Sequence, residues 1–405
     1  MVREPAPDPK RSVIVRHIGT AARRARLGHR HRLAAETRAA DPVTAADAVV
    51  ALHGTDPTSV HLSALARMTG GDISAIGDAL YTDRALIRLL GMRRTVFVAS
   101  HSNASLIQAG CSLGVAARER RKLEKMLDGV VPDPPTWLAE TGEVALAALR
   151  ARGETTAADL ATDHPRLSTQ VVLSQGKDYE GRQNIASRLL FLLAAEGHVV
   201  RARPRGSWTS HQYRWSPLRS WLPDGLEDWD QPKAEAELAR RWLHAFGPAL
   251  PDDLQWWTGW TKTQTRRALS AVDIAEVELD EGVGVLLTAD EDEPPALEPW
   301  AALLPALDPT TMGWQRRDWY LGAHATRLFD KFGNAGPTLW WNGQVVGGWA
   351  QRADGEIVWR FLEDVDSAAE AAVAQAAERW VSVLGDVRLS ARARGRTALE
   401  QELIA

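Results

Sequence analysis

The stretch GRQNIASRLLFLLAAEGHVVRARPRGSWTSHQYRW, residues 181–215, decides the fold of the region around it. Its apolar residues recur at helical spacing, which predicts a helix over residues 181–196 that buries Ile185, Leu189, Leu192 and Leu193. The segments HVVRAR (198–203) and WTSHQYRW (208–215) flank a Pro-Arg-Gly turn and predict two antiparallel strands. We therefore expect a helix followed by a hairpin.

A shorter helix precedes this segment, because Thr155 or Thr156 can cap it and Pro165 stops it. Helix, turn, helix and hairpin is the order of a winged-helix unit, whose second helix reads DNA. We predict such a unit over residues 136–225. Its candidate DNA contacts are the polar and basic residues Lys177, Gln183, Arg188 and Arg205. A small α+β unit that contacts protein remains the alternative.

Related orders of elements occur on both sides of this unit. Residues 43–100 form a first predicted unit, with helices at 43–52, 58–67 and 73–81, a further turn at 85–90 and a strand at 94–99. Residues 101–135 predict a long basic connecting helix and a proline-rich linker. Residues 226–292 form a third predicted unit, with helices at 234–246, 251–259 and 261–271 and strands at 275–279 and 284–288. Lys262 and Arg266 lie on its candidate DNA-reading helix.

The character of the sequence changes in residues 293–405, which predict a β-rich domain. Asn342-Gly343 and Asp354-Gly355 are strong hairpin signals between predicted strands at 338–341, 344–351 and 356–361. A helix at 366–384 and a last strand at 387–389 complete it. The predicted fold class is α+β, with three tandem winged-helix domains followed by a β-rich, barrel-like C-terminal domain. Asn342 and Gln344 are candidate minor-groove contacts, with an ordinary exposed turn as the alternative.

Composition narrows the class of protein. The chain has 405 residues, a formal net charge of −4 and one cysteine, Cys111, as expected of an ordinary globular protein without internal disulfides. It has neither a membrane-spanning apolar run nor a secretory signal, so we expect a cytoplasmic, nucleoid-associated monomer with no membrane partner. Residues 1–42 are arginine-rich, which fits either a phosphate-binding footprint or a solvated helix face.

The turn His53-Gly54-Thr55-Asp56-Pro57 joins the first two predicted helices. Gly54 suits a helix C-terminus, and Asp56 suits the cap of the next helix, with Pro57 in its first turn. That structural role requires neither His53 nor Thr55, so a water-handling cluster and simple capping both remain open. Arg93 and Arg94 are candidate phosphate contacts, with surface salt bridges as the alternative. No metal-ligand spacing or phosphate loop occurs, so we predict no metal and no cofactor.

Four stretches carry a resemblance to a known family: VVALHGTDPTSVHLSALAR (49–67), RALIRLLGMRRTVFV (84–98), LLPALDPTTMGW (303–314) and GNAGPTLWWNGQVVGGWAQR (333–352). From about residue 34 to residue 365 the chain resembles the bacterial tandem winged-helix DNA glycosylases, the azinomycin-resistance AlkZ and YcaQ-like proteins. The resemblance implies a curved DNA-holding body that removes alkylated purines and unhooks crosslinks. Active members carry Gln-apolar-Gln or Gln-apolar-Asp where this chain has His53-Gly54-Thr55.

The altered turn is still compatible with glycosylase chemistry. A purine alkylated at N7 or N3 is already cationic and leaves without a general acid, so the enzyme must stabilise the sugar cation and orient water. We expect His53 to accept a proton from that water, Thr55 to hold it and Asp56 to supply negative charge. No lysine lies in the turn, so we predict no lyase activity. A monofunctional glycosylase for damaged double-stranded DNA, a non-catalytic DNA-binding regulator or damage sensor, and a protein-binding scaffold are the three hypotheses.

Overall fold

The computed structural model describes residues 16–173, 180–292, 294–390 and 395–405. Lys177 and the first fifteen residues lie outside this part of the chain. The described residues form helices and antiparallel strands, and the largest of their hydrophobic cores joins the first unit, the third unit and the C-terminal domain. A second core joins the connecting helix to the second unit. Among the described helices, none is long and apolar enough to cross a membrane.

The first unit is built on a three-stranded antiparallel sheet in the order β1-β3-β2. After an N-terminal helix α1 (Thr20–Arg30), its elements are α2 (Pro42–Asp47), β1 (Leu52–His53), α3 (Pro57–Ala66), α4 (Ile73–Tyr81), β2 (Leu86–Leu90) and β3 (Val96–Ser100). Two predictions are wrong here. The first helix ends at Asp47, since Leu52 and His53 pair with Val98 and Phe97. The predicted turn at 85–90 is a strand whose five residues are all buried.

A long helical connection leads into the second unit. Its elements are α5 (His101–Ile107), a π-helical turn (Gln108–Ser112), α6 (Leu113–Leu127), α7 (Pro134–Arg152), α8 (Ala157–Ala161), β4 (Gln170–Leu173), β5 (Gly181–Asn184), α9 (Ile185–Ala195), β6 (Val199–Pro204), β7 (Tyr213–Pro217) and α10 (Leu218–Trp221). Thr156 caps α8, as predicted. The helix predicted from residue 181 begins only at Ile185, because residues 181–184 pair with β4 as a strand.

The third unit matches its predicted elements closely. It contains α11 (Gln231–Phe246), α12 (Pro251–Thr258), α13 (Lys262–Ser270) and a hairpin of β8 (Ile274–Leu279) and β9 (Gly282–Leu287). Thr261 caps α13 in a reciprocal arrangement with Gln264. A cluster of aromatic rings, formed by Trp242, Phe246, Trp314, Tyr320 and Trp340, joins this unit to the C-terminal domain.

The C-terminal domain contains an open four-stranded sheet rather than a closed barrel. Its elements are β10 (Ala301–Leu304), α14 (Pro309–Met312), α15 (Asp318–Leu321), α16 (Ala325–Leu328), β11 (Thr338–Trp341), β12 (Gln344–Gln351), β13 (Ile357–Phe361), α17 (Ser367–Leu384) and α18 (Ala398–Ile404). The sheet order is β10-β11-β12-β13, so its two outer strands do not pair. The last strand predicted at 387–389 is wrong, because Val387 and Leu389 bond to the side chain of Gln351 instead of to a strand.

The described part of the arginine-rich N-terminal segment is folded against the body of the protein. Arg23 forms an ion pair with Glu281 at 2.9 Å, and Arg30 forms one with Asp290 at 3.1 Å. Arg24 donates to the carbonyl of Trp319 at 2.8 Å. These three arginines of α1 are therefore neither a solvated face nor a phosphate footprint, because acidic groups and carbonyls of distant segments bind them.

Candidate active site

The His53–Asp56 turn is held rigidly at the edge of the first sheet. The amide of Gly54 donates to the carbonyl of Val96 at 2.7 Å, and the buried guanidinium of Arg88 donates to the carbonyl of Gly54. A Cβ on Gly54 would stand 3.1 Å from the backbone of Phe97, so this glycine permits a close approach of two backbones. It does not end a helix, as the sequence suggested, and the turn instead follows a strand.

Asp56 occupies the N-cap position of α3, but its carboxylate does not bond to the backbone of that helix. One oxygen, Oδ2, accepts hydrogen bonds from the hydroxyls of Thr58 and Ser59. The other oxygen, Oδ1, lies 3.6 Å from Nε2 of His211, which the second unit contributes from the loop before β7. Asp56 is only 8% exposed. Its carboxylate is thus positioned by hydroxyls, and one oxygen is directed toward a histidine.

His53 is a neutral residue at cellular pH. It is 9% exposed, and its Nδ1 atom is buried without a hydrogen-bond partner among the described residues. Burial, together with the nearby charge of Arg93, lowers the pKa of His53 to about 3. A ring with so low a pKa is a hydrogen-bonding group and a weak base, which argues against the predicted proton transfer to His53. Thr55 is exposed on the same turn.

The turn opens on a cavity of about 670 Å³ between the three units and the C-terminal domain. The cavity wall is rich in cationic and aromatic side chains, and its residues include His53, Thr55, Asp56, Arg93, Arg94, Arg201, His211, Trp256, Arg317 and Phe332. The guanidinium of Arg93 lies 4.0 Å from the ring centre of Trp256, and that of Arg317 lies 5.1 Å from the same ring. Trp256 therefore holds two arginines on one wall.

These arginines give the cavity a concentrated positive charge. Burial and, to a smaller extent, the charge of neighbouring Arg317 lower the pKa of Arg93 to about 10. Burial also lowers the pKa of Arg201 to about 10, with a contribution from Arg88. Both remain charged at cellular pH. A cavity lined by half-buried cations and by the carboxylates of Asp56 and Asp330 suits a polyanion whose reacting part is electron-deficient.

Some predicted contact residues are brought to this cavity. Arg93 and Arg94 both line it, from the turn between β2 and β3. Arg94 also forms an ion pair with Glu119 at 2.7 Å and lies over the ring of Phe191. Arg94 thus forms a salt bridge, as the alternative prediction stated, whereas Arg93 contacts the ring of Trp256 and lines the cavity.

The remaining predicted contacts lie elsewhere. Gln183 is on strand β5 and not on a helix, and Arg188 is half-buried on α9. Arg205 is exposed beyond β6, 4.0 Å from Asp159. Lys262 and Arg266 are exposed on α13 and form no ion pair with the described residues. Their DNA-binding role stays a prediction.

Asn342 and Gln344 have structural partners at the tip of their hairpin. Oδ1 of Asn342 accepts from the amide of Trp300 at 2.9 Å. Oε1 of Gln344 accepts from Arg24 at 2.6 Å, and its amide donates to Glu363 at 2.6 Å. The backbone of Arg24 lies directly against Gly343. This hairpin is packed on α1, which argues against its entry into a groove of DNA.

Sequence reasoning missed five residues of the cavity wall: Arg201, His211, Trp256, Arg317 and Phe332. His211 and Arg201 belong to the predicted hairpin of the second unit, and their spacing alone does not indicate that they reach the first unit. Groups of three or more His, Cys, Asp or Glu residues suited to a metal ion are not found in the described ranges.

Comparisons with known proteins agree with this architecture. Residues 46–383 match the model of the family described as DNA glycosylase AlkZ-like. The DNA glycosylase AlkZ of Streptomyces sahachiroi has a similar solved structure, with a TM-score of 0.70, 18% sequence identity and coverage of 93% of this chain and 99% of that one. At this identity the likeness concerns the fold alone. No curated protein sequence matches the chain. Because the family match extends over most of its length, the chain belongs to the AlkZ-like DNA glycosylase family.

Proposed function

We propose that this protein is a monofunctional DNA glycosylase that hydrolyses the N-glycosidic bond of alkylated purines in double-stranded DNA. Bulky adducts and crosslinks fall within the same class of substrate. The observation that carries the proposal is the position of Asp56, on the turn that aligns with the catalytic pair of the family, inside an arginine-lined cavity. We expect Arg93, Arg201 and Arg317, which line this cavity, to bind phosphates on either side of the damaged nucleotide.

The chemistry follows from the charge of the lesion. An N7-alkylated purine takes the electron pair of the C1′–N9 bond and leaves as a neutral base, while positive charge develops on the deoxyribose. The carboxylate of Asp56 stabilises that charge in a site of low exposure, where charges interact more strongly than in water. This contribution exists mainly in the transition state, so it raises the rate rather than the affinity.

The attacking water needs a proton acceptor and an orienting group. His211 Nε2 stands 3.6 Å from Asp56 Oδ1, so a water between the C1′ atom and these groups can bond to both. As water oxygen bonds to C1′, its proton passes to the His211–Asp56 pair and then to solvent. Thr55 and neutral His53 supply further hydrogen bonds to the water or to the lesion. His211 thus takes the role of base that the sequence suggested for His53.

Substitution of His53 tests whether His211 or His53 is the base. We expect His53→Gln to retain base release within about tenfold, since a neutral imidazole and an amide both form hydrogen bonds, and His53→Ala to lose about tenfold to a hundredfold. Because burial holds the pKa of His53 at about 3, His53→Gln should leave the pH profile of release unchanged between about pH 5 and about pH 8. Rates measured in single turnover across that range check this. If the pH profile of base release in His53→Gln lacks an ionisation that the wild type shows, His53 is the base instead of His211.

The function itself is tested by base release from a duplex that carries one N7-methylguanine. We expect the wild-type protein to release the base in the presence of excess EDTA, and to leave an abasic site without cutting the strand. A parallel reaction with a bulkier N7 adduct tests the range of substrates. Tight duplex binding without release of either base would instead support a non-catalytic DNA-binding protein, in which the replaced glutamine pair has lost its activity.

A further inference from the structure

A five-residue turn at the cavity, Asp330–Asn334, presents an aromatic side chain to solvent. Phe332 is 57% exposed, whereas the other five phenylalanines of the chain are buried or half-buried. Its ring lines the same cavity as His53 and Asp56. A large apolar side chain exposed beside a polar site indicates an interaction surface.

The turn is rigid by its own hydrogen bonds. Oδ1 of Asp330 accepts from the amides of Phe332 at 2.8 Å and Asn334 at 2.9 Å, and Oδ2 accepts from the side-chain amide of Asn334 at 2.8 Å. The amide of Asp330 donates back to the carbonyl of Asn334 at 2.9 Å, and Gly333 takes the left-handed conformation, with φ +78°. The backbone that carries Phe332 is therefore ordered before any ligand binds, which reduces the entropy lost on binding.

The surroundings of Phe332 indicate what it contacts. The ammonium of Lys331 lies 5.3 Å from the centre of its ring, and Arg93, Arg201 and Arg317 line the rest of the cavity. An aromatic ring among phosphate-binding cations is the arrangement in which proteins stack on nucleic-acid bases. Apolar side chains of this kind also enter between neighbouring base pairs from the minor groove and unstack them.

We infer that Phe332 inserts into the base stack of double-stranded DNA at the lesion and opens one base step toward Asp56. Its ligand is a pair of neighbouring bases, not a free nucleotide or a protein. The inference rests on the proposed function, because it assigns the means by which the reacting sugar is brought to the carboxylate. Lys331 and the cavity arginines hold the phosphates of the opened step.

A fluorescent base tests the inference directly. The probe is a duplex with 2-aminopurine next to N7-methylguanine, because the fluorescence of 2-aminopurine rises when it is unstacked. We expect wild-type protein to raise the signal several-fold, Phe332→Leu to retain part of the rise, and Phe332→Ala to abolish most of it and weaken binding by about 5-fold to 100-fold. Leu113→Ala is the matched control, since Leu113 is 49% exposed and lies outside the cavity.

The outcomes separate this inference from the proposed function. An equal rise of fluorescence with wild type and Phe332→Ala overturns the insertion, even if both release the base. A rise that depends on Phe332 without any base release supports the insertion and overturns only the glycosylase. Duplex binding by wild type with no change in fluorescence also overturns the insertion, and absence of duplex binding overturns both.

Discussion

We expect Asp56→Asn to lower the single-turnover rate of base release by about two to three orders of magnitude and to leave duplex affinity within about threefold of the wild type. This is the expected result if the carboxylate acts on the charge that develops at the sugar. The amide keeps the shape of the side chain and removes its charge. Because the charge matters most in the transition state, the rate falls far more than the affinity.

The substitution is conservative for the fold. The hydroxyls of Thr58 and Ser59, which donate to Oδ2 in the wild type, can donate equally to the amide oxygen of an asparagine. Asp386→Asn is the matched control, since Asp386 is an exposed aspartate outside the cavity. His211→Asn should also slow release, and the double variant should add little to Asp56→Asn if the two side chains act as one unit. Release within tenfold of wild type in Asp56→Asn excludes a catalytic charge at this position.

Local signals account for what could be predicted of the fold. Local sequence patterns predicted α4 and the helices of the third unit nearly at their observed ends. The Asn-Gly pair at residue 342 correctly indicated the hairpin of β11 and β12. The two-residue strand β1 has no such signal, because its pairing with β3 depends on residues more than forty positions away.

The candidate site was predictable only in part for the same reason. The composition of the His53–Asp56 turn and its family resemblance indicated its importance. The sequence does not show that Asp56 meets His211, since the loop before β7 is brought there by the packing of the second unit on the first. Gln344 illustrates the opposite error: its polar side chain suggested a groove contact, but Arg24 binds it from the other end of the chain.

A buried ion pair between Arg67 and Asp308 holds the helix that begins beside Asp56. Arg67 follows α3, the helix that begins beside Asp56, and forms two hydrogen bonds of 2.8 Å and 2.7 Å to the carboxylate of Asp308. Both side chains are completely buried. Arg67 also donates to the carbonyl of Ser63 and to the hydroxyl of Thr310, each at 2.7 Å. The pair therefore ties the end of the helix to the C-terminal domain.

Arg67→Met should lower the free energy of unfolding by about 3–5 kcal/mol, because it leaves the carboxylate of Asp308 buried without its partner. Chemical denaturation measures this. The control is Arg352→Met, which breaks an exposed ion pair with Glu356 and should cost at most about 1 kcal/mol. Arg67→Met combined with Asp308→Leu should recover most of the loss, since no unpaired charge then remains. If Arg67→Met is as stable as the control Arg352→Met, the Arg67–Asp308 pair does not stabilise the fold as proposed.

The same pair predicts the response of stability to acid. Burial alone raises the pKa of Asp308, but the charge and hydrogen bonds of Arg67 outweigh burial and hold it below its usual value. In the unfolded chain an aspartate has a pKa of about 3.9. A carboxyl whose pKa is lower in the folded protein stabilises the fold fully at pH values above about 3.9, and this stabilisation is lost as the pH falls through the pKa of the folded state. Below about pH 4 the wild type should therefore lose stability more steeply than the variant that lacks both charges. Parallel acid dependence in the two proteins would mean that Asp308 has the same pKa in the folded and the unfolded chain, and it would contradict the lowered pKa of this carboxyl.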